Sequence, residues 1–233
     1  MRLLNKFRSL FEHTKYVHRN SNLGNQVALE FFEDLVELRK SSKLVARVLA
    51  RDRVVNLKNT TTGKAARRGD GTFGELVPTA TPVVEEYSVI ARGPTANVEM
   101  GAETKIVSKA MIKQVDRVIS DLERQVKMFR KHGGNPLCIG FVGVNWSESY
   151  TSYEGERPFA TDGKKYKHPI QEALSAERRL ILEAQPLFDE FLILQFSATN
   201  VPPYPFQWFN YQKLVLEYNA LLTRVSREYD TRY

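Results

Sequence analysis

The chain has 233 residues, of which 42% are hydrophobic and 26% are charged, and it carries a formal net charge of +7. This composition is typical of a globular protein and excludes a wholly disordered chain, and no apolar run is long enough to span a membrane. The excess of Lys and Arg favours a polyanionic partner, most simply a nucleic acid.

Residues 1–18 predict a short amphipathic helix, because apolar side chains are interspersed with basic ones and form no continuous apolar core. This is not the pattern of a secretion signal. The single cysteine, Cys138, lies in the apolar run 137–142 and cannot form an internal disulfide, which predicts a buried thiol in a reducing compartment. We therefore expect a cytoplasmic protein without membrane contact.

From residue 22 onward, apolar residues recur at the spacing of a helix. They are Val27, Phe31, Leu35 and Leu38. The acidic residues on the remaining surface of this predicted helix are Glu30, Glu33, Asp34 and Glu37. These carboxylates fit either a solvated helix face or, for Glu30 or Asp34, a metal ligand that points into an active site.

A short strand is predicted at residues 53–57, and the basic segment 58–68 follows it as a loop or an extended hairpin. Residues 67–78 contain glycines on both sides of Asp70, which predicts a tight turn that can approach a ligand closely. An Asp-Gly pair is equally favoured in ordinary hairpin turns. Residues 87–91 are predicted to form the next strand, and a Gly-Pro pair follows it.

The segment 97–107 predicts a strand in which three ionisable side chains share one face. Because side chains alternate with a period of two, Glu99, Glu103 and Lys105 should point the same way. A carboxylate and an ammonium two residues apart on a strand can both reach one phosphate group. If this face is buried, its charges need a partner or a metal.

A helix at 108–132 and an apolar strand at 137–144 follow, so the two strands of this crossover should be parallel. The remaining predicted elements are a helix at 170–185, a strand at 188–196 and a helix at 208–229. The connection 145–169 is polar and rich in Tyr, Gly and Lys, and a connection of this length is usually functional or disordered.

Aromatic rings among cations suit base stacking and phosphate contact, and the chain has several such residues in and near its basic segments. The candidate nucleic-acid contacts are Arg67, Arg68, Lys109, Lys113, Tyr150, Tyr153, Lys164, Lys165, Lys167 and His168. The connection 145–169 is the best candidate for reading DNA grooves.

The order of these elements resembles the PD-(D/E)XK nuclease superfamily, the fold of many restriction endonucleases and Holliday-junction resolvases. The resemblance rests on Glu103-Thr104-Lys105 before a helix, on Asp70 in an upstream turn and on the acidic first helix. It implies an α/β fold in which helices flank a mixed central β-sheet. Residues 22–144 would be the restriction-endonuclease-like core of a single domain, 1–233, and 145–233 would serve DNA binding or dimerisation.

The resemblance further implies a metal-dependent DNA endonuclease of the restriction or defence type that cuts double-stranded DNA, with a homodimer expected by analogy. Asp70 and Glu103 would hold Mg²⁺ or Mn²⁺, which polarises the phosphoryl group and activates a bound water. Lys105 would stabilise the charge that develops on the phosphorus oxygens.

Asp70 lies farther upstream of the E-x-K motif than is usual in the family, so other carboxylates are alternatives for the second metal ligand. They are Glu75, Glu86 and Glu99. Glu99 would lie about 13 Å from Glu103 along an extended strand. Gln114 resembles a glutamine that exonuclease-type relatives use near the site, and it equally fits a helix-boundary residue.

Two other functions fit the same sequence. One is a non-catalytic nucleic-acid-binding or interaction module on the same fold, which would need no Asp70. The other is an enzyme of a different class with an unrecognised small-molecule site, which would lack the salt-sensitive DNA affinity that phosphate contacts produce.

Overall fold

A mixed β-sheet, whose main path has six strands, lies between two layers of helices. The computed structural model describes residues 1–17, 22–57, 60–61, 64–65, 69–109, 111–131, 134–153, 156–161 and 169–233. The helices are α1 (Arg2–Ser9), α2 (Asn22–Leu38), α3 (Ser42–Leu49), α4 (Met111–Lys131), α5 (Pro169–Arg179) and α6 (Tyr211–Arg232). The strands are β1 (Arg53–Asn56), β2 (Thr60–Thr61), β3 (Lys64–Ala65), β4 (Gly71–Leu76), β5 (Thr95–Val107), β6 (Leu137–Asn145), β7 (Ser149–Thr151), β8 (Pro158–Ala160), β9 (Glu190–Ala198) and β10 (Phe206–Trp208).

The strands of the main path lie in the order β1-β4-β5-β6-β9-β10. β1, β4 and β5 are antiparallel neighbours, β5, β6 and β9 are parallel, and β10 returns antiparallel to β9. β7 and β8 form a separate two-stranded hairpin. The helical connection through α4 makes β5 and β6 parallel, because a strand that returns through a crossover helix must run the same way.

The two helical layers enclose one hydrophobic core on each side of the sheet, which explains why β6 is buried along its whole length. On one face, Phe141 of β6 contacts Phe31 of α2 and Tyr218 of α6, with ring centroids 5.1 and 6.4 Å apart. On the other face, Val142 belongs to the core that α4 and α5 cover. β5 and β6 are therefore held rigidly from both sides.

These features confirm the predicted α/β class, the sheet flanked by helices, and the parallel crossover. Cys138 is fully buried, as its apolar surroundings predict. In the part of the chain that the structure describes, no helix combines the length and the apolar character needed to cross a membrane.

Two segments differ from their predicted conformation. Residues 87–91 are not a strand, because the backbone N–H groups of Val89 and Ile90 donate to the carboxylate of Glu33 instead of a strand neighbour. The glycine-rich segment is mainly a strand rather than a turn: β4 begins immediately after Asp70 and fills the place between β1 and β5.

Two carboxylates on the acidic side of α2 are neither solvated nor part of the candidate site. Glu33 and Asp34 are 1% and 5% exposed. Asp34 accepts hydrogen bonds from the backbone N–H of Leu3 and from the hydroxyl of Tyr218, at 3.0 and 2.7 Å. Because these two carboxylates bind the N-terminus of α1 and the segment before β5, the prediction of a solvated face is wrong for Glu33 and Asp34, and Asp34 is not a ligand at the candidate site. Glu37 is exposed, as predicted.

Candidate active site

Asp70 and Glu103 lie together where β4 begins beside β5. The backbone N–H of Asp70 donates to Oε2 of Glu103 at 3.2 Å, and the backbone N–H of Thr104 donates to Oδ2 of Asp70 at 2.7 Å. Each carboxylate therefore accepts a hydrogen bond from the backbone next to the other. This exchange fixes both side chains relative to the sheet.

Lys105 completes the group from the same face of β5. Its Nζ lies 2.5 Å from Oε1 of Glu103. The Glu103 side chain is 4% exposed and the Lys105 side chain is 30% exposed, so the ammonium is the member of this pair that solvent reaches. The period-two prediction that these two side chains share a face is confirmed.

Burial and mutual repulsion determine the electrostatics of the two carboxylates. Burial first, and the charge of Asp70 second, raise the pKa of Glu103 to about 8, although Lys105 opposes the shift. Burial also raises the pKa of Asp70. Burial lowers the pKa of Lys105, but the charge of Glu103, its hydrogen bond and the charge of Asp70 outweigh burial, so the net shift is upward.

Two neighbours of Asp70 on helices were not predicted from the sequence. The Asp70 carboxylate packs against Gly24 in the first turn of α2, where a Cβ would collide with it. Gln125 of α4, 7% exposed, packs its amide against Gly69. Their sequence separations from Asp70 are large, and a lone Gly or Gln carries no pattern that would have identified them.

Glu99 is on the wrong side of the sheet to join the site. Phe73 pairs with Met100 and Gly74 pairs with Val98, so Glu99 has no partner on β4 and forms a bulge. Its carboxylate binds Arg53 at 2.6 Å and accepts a hydrogen bond from the hydroxyl of Tyr229 on α6 at 2.5 Å. The prediction that Glu99 shares a face with Glu103 is wrong because the bulge shifts the alternation by one residue.

The other alternative ligands also lie elsewhere. Glu75 is near the far end of β4, where it accepts a hydrogen bond from Asn97. Glu86 is exposed in the loop before β5. Glu30 lies near Arg2, which offsets part of the rise in pKa that burial imposes on it.

Gln114 occupies the first turn of α4, whereas Gln125 is the glutamine that packs beside the site. Eleven residues separate them, which is about 16 Å along a helix axis. The structure thus places Gln125, and not Gln114, against Gly69, the residue before Asp70.

The predicted nucleic-acid contacts have different outcomes. Tyr150 is 2% exposed and Lys109 is 9% exposed with its ammonium on the hydroxyl of Ser152, so neither is available for stacking or phosphate contact. Tyr153 and Lys113 are exposed. The remaining six, which are Arg67, Arg68, Lys164, Lys165, Lys167 and His168, lie outside the described residues.

The described residues contain no group of three or more His, Cys, Asp or Glu side chains that could hold a metal ion. The two carboxylates of Asp70 and Glu103 nevertheless fit Mg²⁺, which keeps several waters and is commonly held by one or two carboxylates plus phosphate oxygens. Burial disfavours the charged form of both carboxylates, and the charge of Asp70 adds to this effect at Glu103, so a bound cation would stabilise the pair.

Comparisons of the chain with protein-family models, with curated proteins and with solved structures find no match.

Proposed function

We propose that this protein is a metal-dependent DNA endonuclease whose active site consists of Asp70, Glu103 and Lys105. The observation that carries the proposal is the arrangement of the three side chains: each carboxylate accepts a hydrogen bond from the backbone beside the other, and the Lys105 ammonium lies 2.5 Å from Glu103. A structural ion pair would need one carboxylate for one lysine. The second carboxylate, that of the half-buried Asp70, has a physical reason if a cation binds there.

The order of elements supports the proposal. α2, the antiparallel strands β1, β4 and β5, the helix α4 and the parallel strand β6 follow the order expected of the PD-(D/E)XK core. Asp70 precedes the middle strand, and Glu103 and Lys105 lie on the third. This connectivity is the feature of the sheet that supports the proposed nuclease function.

The residues of the candidate site would have distinct roles in catalysis. Asp70 and Glu103 would hold a divalent cation, which polarises a phosphodiester and lowers the pKa of a bound water. Lys105, whose charged form its neighbours stabilise, would bind the phosphoryl oxygens on which negative charge develops. The Thr104 backbone keeps Asp70 in position throughout.

The β7–β8 hairpin would contact the substrate. It follows β6, at the end of the sheet where β5 also ends, and it presents Arg157 and the exposed ring of Tyr153. Lys15 lies over the Tyr153 ring, with its Nζ 4.5 Å from the centroid. Arg157 lies 5.5 Å from the ring centroid of Phe159. Cations beside aromatic rings suit contacts with phosphates and bases.

The test is cleavage of supercoiled plasmid DNA by the purified chain with Mg²⁺, with Mn²⁺ and with EDTA. We expect cleavage with either metal and none with EDTA. The Lys105→Ala variant should lose about 10²-fold or more of the rate, the scale of one lost transition-state contact. Lys127→Ala, which removes an exposed lysine of α4, is the matched control and should retain the wild-type rate.

If no DNA is cleaved with any divalent metal while DNA still binds with strong salt dependence, the chain is a binding module and the catalytic assignment is wrong. Cleavage that survives in Lys105→Ala and in Asp70→Asn would mean that the nuclease site lies elsewhere.

A further inference from the structure

The outer edge of β9 is only partly covered. β10 pairs with residues 196–198 of β9, and among the described residues no strand lies beside residues 190–195 on that side. The backbone N–H of Phe209 donates to the carbonyl of Gln195 at 3.1 Å, which identifies the residues that face outward. Since alternate residues of a strand face the same neighbour, Phe191 and Ile193 direct their backbone N–H and C=O groups to the open edge.

This open edge is the floor of a slot between the two helical layers. A cavity of about 350 Å³ lies along Phe191 and Ile193. Glu177, Ile181 and Gln185 line it from the layer of α5, and Lys213, Glu217, Ala220 and Arg224 line it from α6. The helices therefore extend beyond the edge of the sheet on both faces, and the space between them is where a further strand would lie.

The ionisable side chains that line the slot are two cations and two carboxylates, unlike the excess positive charge of the whole chain. Arg224 binds Glu190 at 2.6 Å, and Lys213 binds Glu217 at 3.5 Å. Glu177 accepts hydrogen bonds from the side chains of Gln195 and Trp146 at 2.8 and 3.1 Å. An uncharged ligand is the electrostatic complement of such a rim, and a polyanion is not.

The rim also exposes apolar side chains. Leu174, three residues before Glu177, is 56% exposed, and Leu216, three residues after Lys213, is 70% exposed. Residues three apart on a helix share a face, so each leucine lies next to a residue that lines the slot. Apolar groups on both walls favour a ligand with apolar side chains on both of its faces.

We propose that this slot binds an extended, uncharged segment of a partner protein, which adds to the sheet as a strand beside β9. Backbone groups at strand spacing select an extended polypeptide, and the walls select apolar side chains at alternate positions. A second copy of this chain is a poorer occupant. Paired strands lie about 4.8 Å apart. The helices that flank β9 in each copy would collide before the two β9 edges came that close.

The probe is a library of capped, uncharged heptapeptides in which Val, Ile, Thr and Ser alternate, and binding to the full chain is measured by fluorescence polarisation. We expect members of the library to bind, and we expect amide exchange at Phe191 and Ile193 to slow when they do. Ala220→Tyr, which fills the slot from the exposed side of α6, should weaken binding about tenfold, the scale of one or two lost contacts. Gln212→Tyr adds the same ring on α6 outside the slot and should change nothing.

Methylated peptides test whether the ligand pairs as a strand. Methylation of the amides that face β9 should weaken binding about tenfold, and methylation of the intervening amides should not. Equal effects of the two sets, or no binding by any member of the library, would overturn the proposal. A dimer of the chain that Ala220→Tyr dissociates would show that a second copy is the occupant. Plasmid cleavage by Ala220→Tyr should equal that of the wild type, which separates this test from that of the nuclease.

Discussion

At the scale of single residues, the Asp70 carboxylate can occupy its position because Gly24 has no Cβ atom. The carboxylate packs where the Cβ of any other residue would lie. A glycine inside a helix costs up to about 1 kcal/mol relative to alanine, so helix stability alone would favour replacing it. The requirement for glycine at this position is therefore one of space, imposed by the candidate site.

We expect Gly24→Ala to reduce metal-dependent cleavage by at least about tenfold, because displacement of a carboxylate by a fraction of an ångström disturbs a site that depends on geometry. The free energy of unfolding should change little, since the gain in helix propensity offsets the local collision. Cleavage rate and thermal melting measure the two effects. Gln26→Ala, at an exposed position of the same helix, is the control. Full activity in Gly24→Ala would show that Asp70 is not a ligand.

Cys138 gives a prediction about pH. Burial, the largest influence, raises the pKa of its thiol to about 11. The folded state thus holds the thiol proton more tightly than the unfolded state, so this contribution to stability is complete below the unfolded pKa of about 8.5 and is lost as the pH rises toward 11. Since the thiolate is the reactive form, Ellman's reagent at pH 8 should label the unfolded chain and leave the folded chain unlabelled. Rapid labelling of the folded chain would contradict the burial of Cys138.

At the scale of elements, the bulge in β5 gives two glutamates on one strand different tasks. Glu99 holds Arg53 and Tyr229 on the α6 side, and Glu103 faces Asp70 and Lys105 on the α4 side. The Glu99 carboxylate contacts only hydrogen-bond donors, and the Arg53 guanidinium balances its charge inside the protein. The Glu103 carboxylate shares the ammonium of Lys105 with the carboxylate of Asp70.

We therefore expect opposite results from the same isosteric change. Glu99→Gln should cost about 2 kcal/mol of unfolding free energy, because it weakens hydrogen bonds to a charged donor and a buried hydroxyl. Above pH 8, where the Glu103 carboxylate is charged, Glu103→Gln should melt no lower than the wild type in EDTA, since it removes the repulsion from Asp70. Addition of Mn²⁺ should raise the melting temperature of the wild type and Glu99→Gln, but not of Glu103→Gln, because ligands stabilise only the state that binds them.

If Mn²⁺ raises the melting temperature of all three proteins equally, the ion binds elsewhere. If Glu99→Gln loses the response to Mn²⁺ and Glu103→Gln keeps it, the assignments of the two glutamates are reversed.

The elements also show how far periodicity can predict this fold. The spacing in α4 and the unbroken apolar run of β6 predict both elements and their parallel crossover, because burial of one helix face or of a whole strand leaves a regular pattern. Glu103 and Lys105 follow from the period of a strand. Glu99 does not, because a bulge leaves no mark in the order of residues. Glu33 and Asp34 look solvated in sequence, since their hydrogen-bond partners come from distant segments.

At the scale of the whole molecule, the net charge of +7 favours a polyanionic partner, but charge alone does not locate a binding surface. Lys109 and Tyr150 are buried, so neither can make the predicted contact with a nucleic acid. It leaves exposed cations and rings at the β7–β8 hairpin, at the end of the sheet where β5 and β6 end. If this hairpin contacts DNA, its cations should contribute to the dependence of binding on salt.

The measurement is DNA affinity of the Asp70→Asn background across a range of salt concentrations. Each phosphate that a cation neutralises releases counterions, so the loss of one contact lowers the slope of log K against log salt by about 1. We expect Arg157→Gln to produce this change. Lys43→Gln removes a partly exposed lysine whose ammonium donates to the backbone carbonyl of Asp230. This is the end of α6 that packs against the bulge of β5. Lys43→Gln serves as the charge-matched control and should leave the slope unchanged. Equal slopes for both variants would mean that DNA does not contact Arg157. DNA bound at Lys105 would then have to lie away from the β7–β8 hairpin.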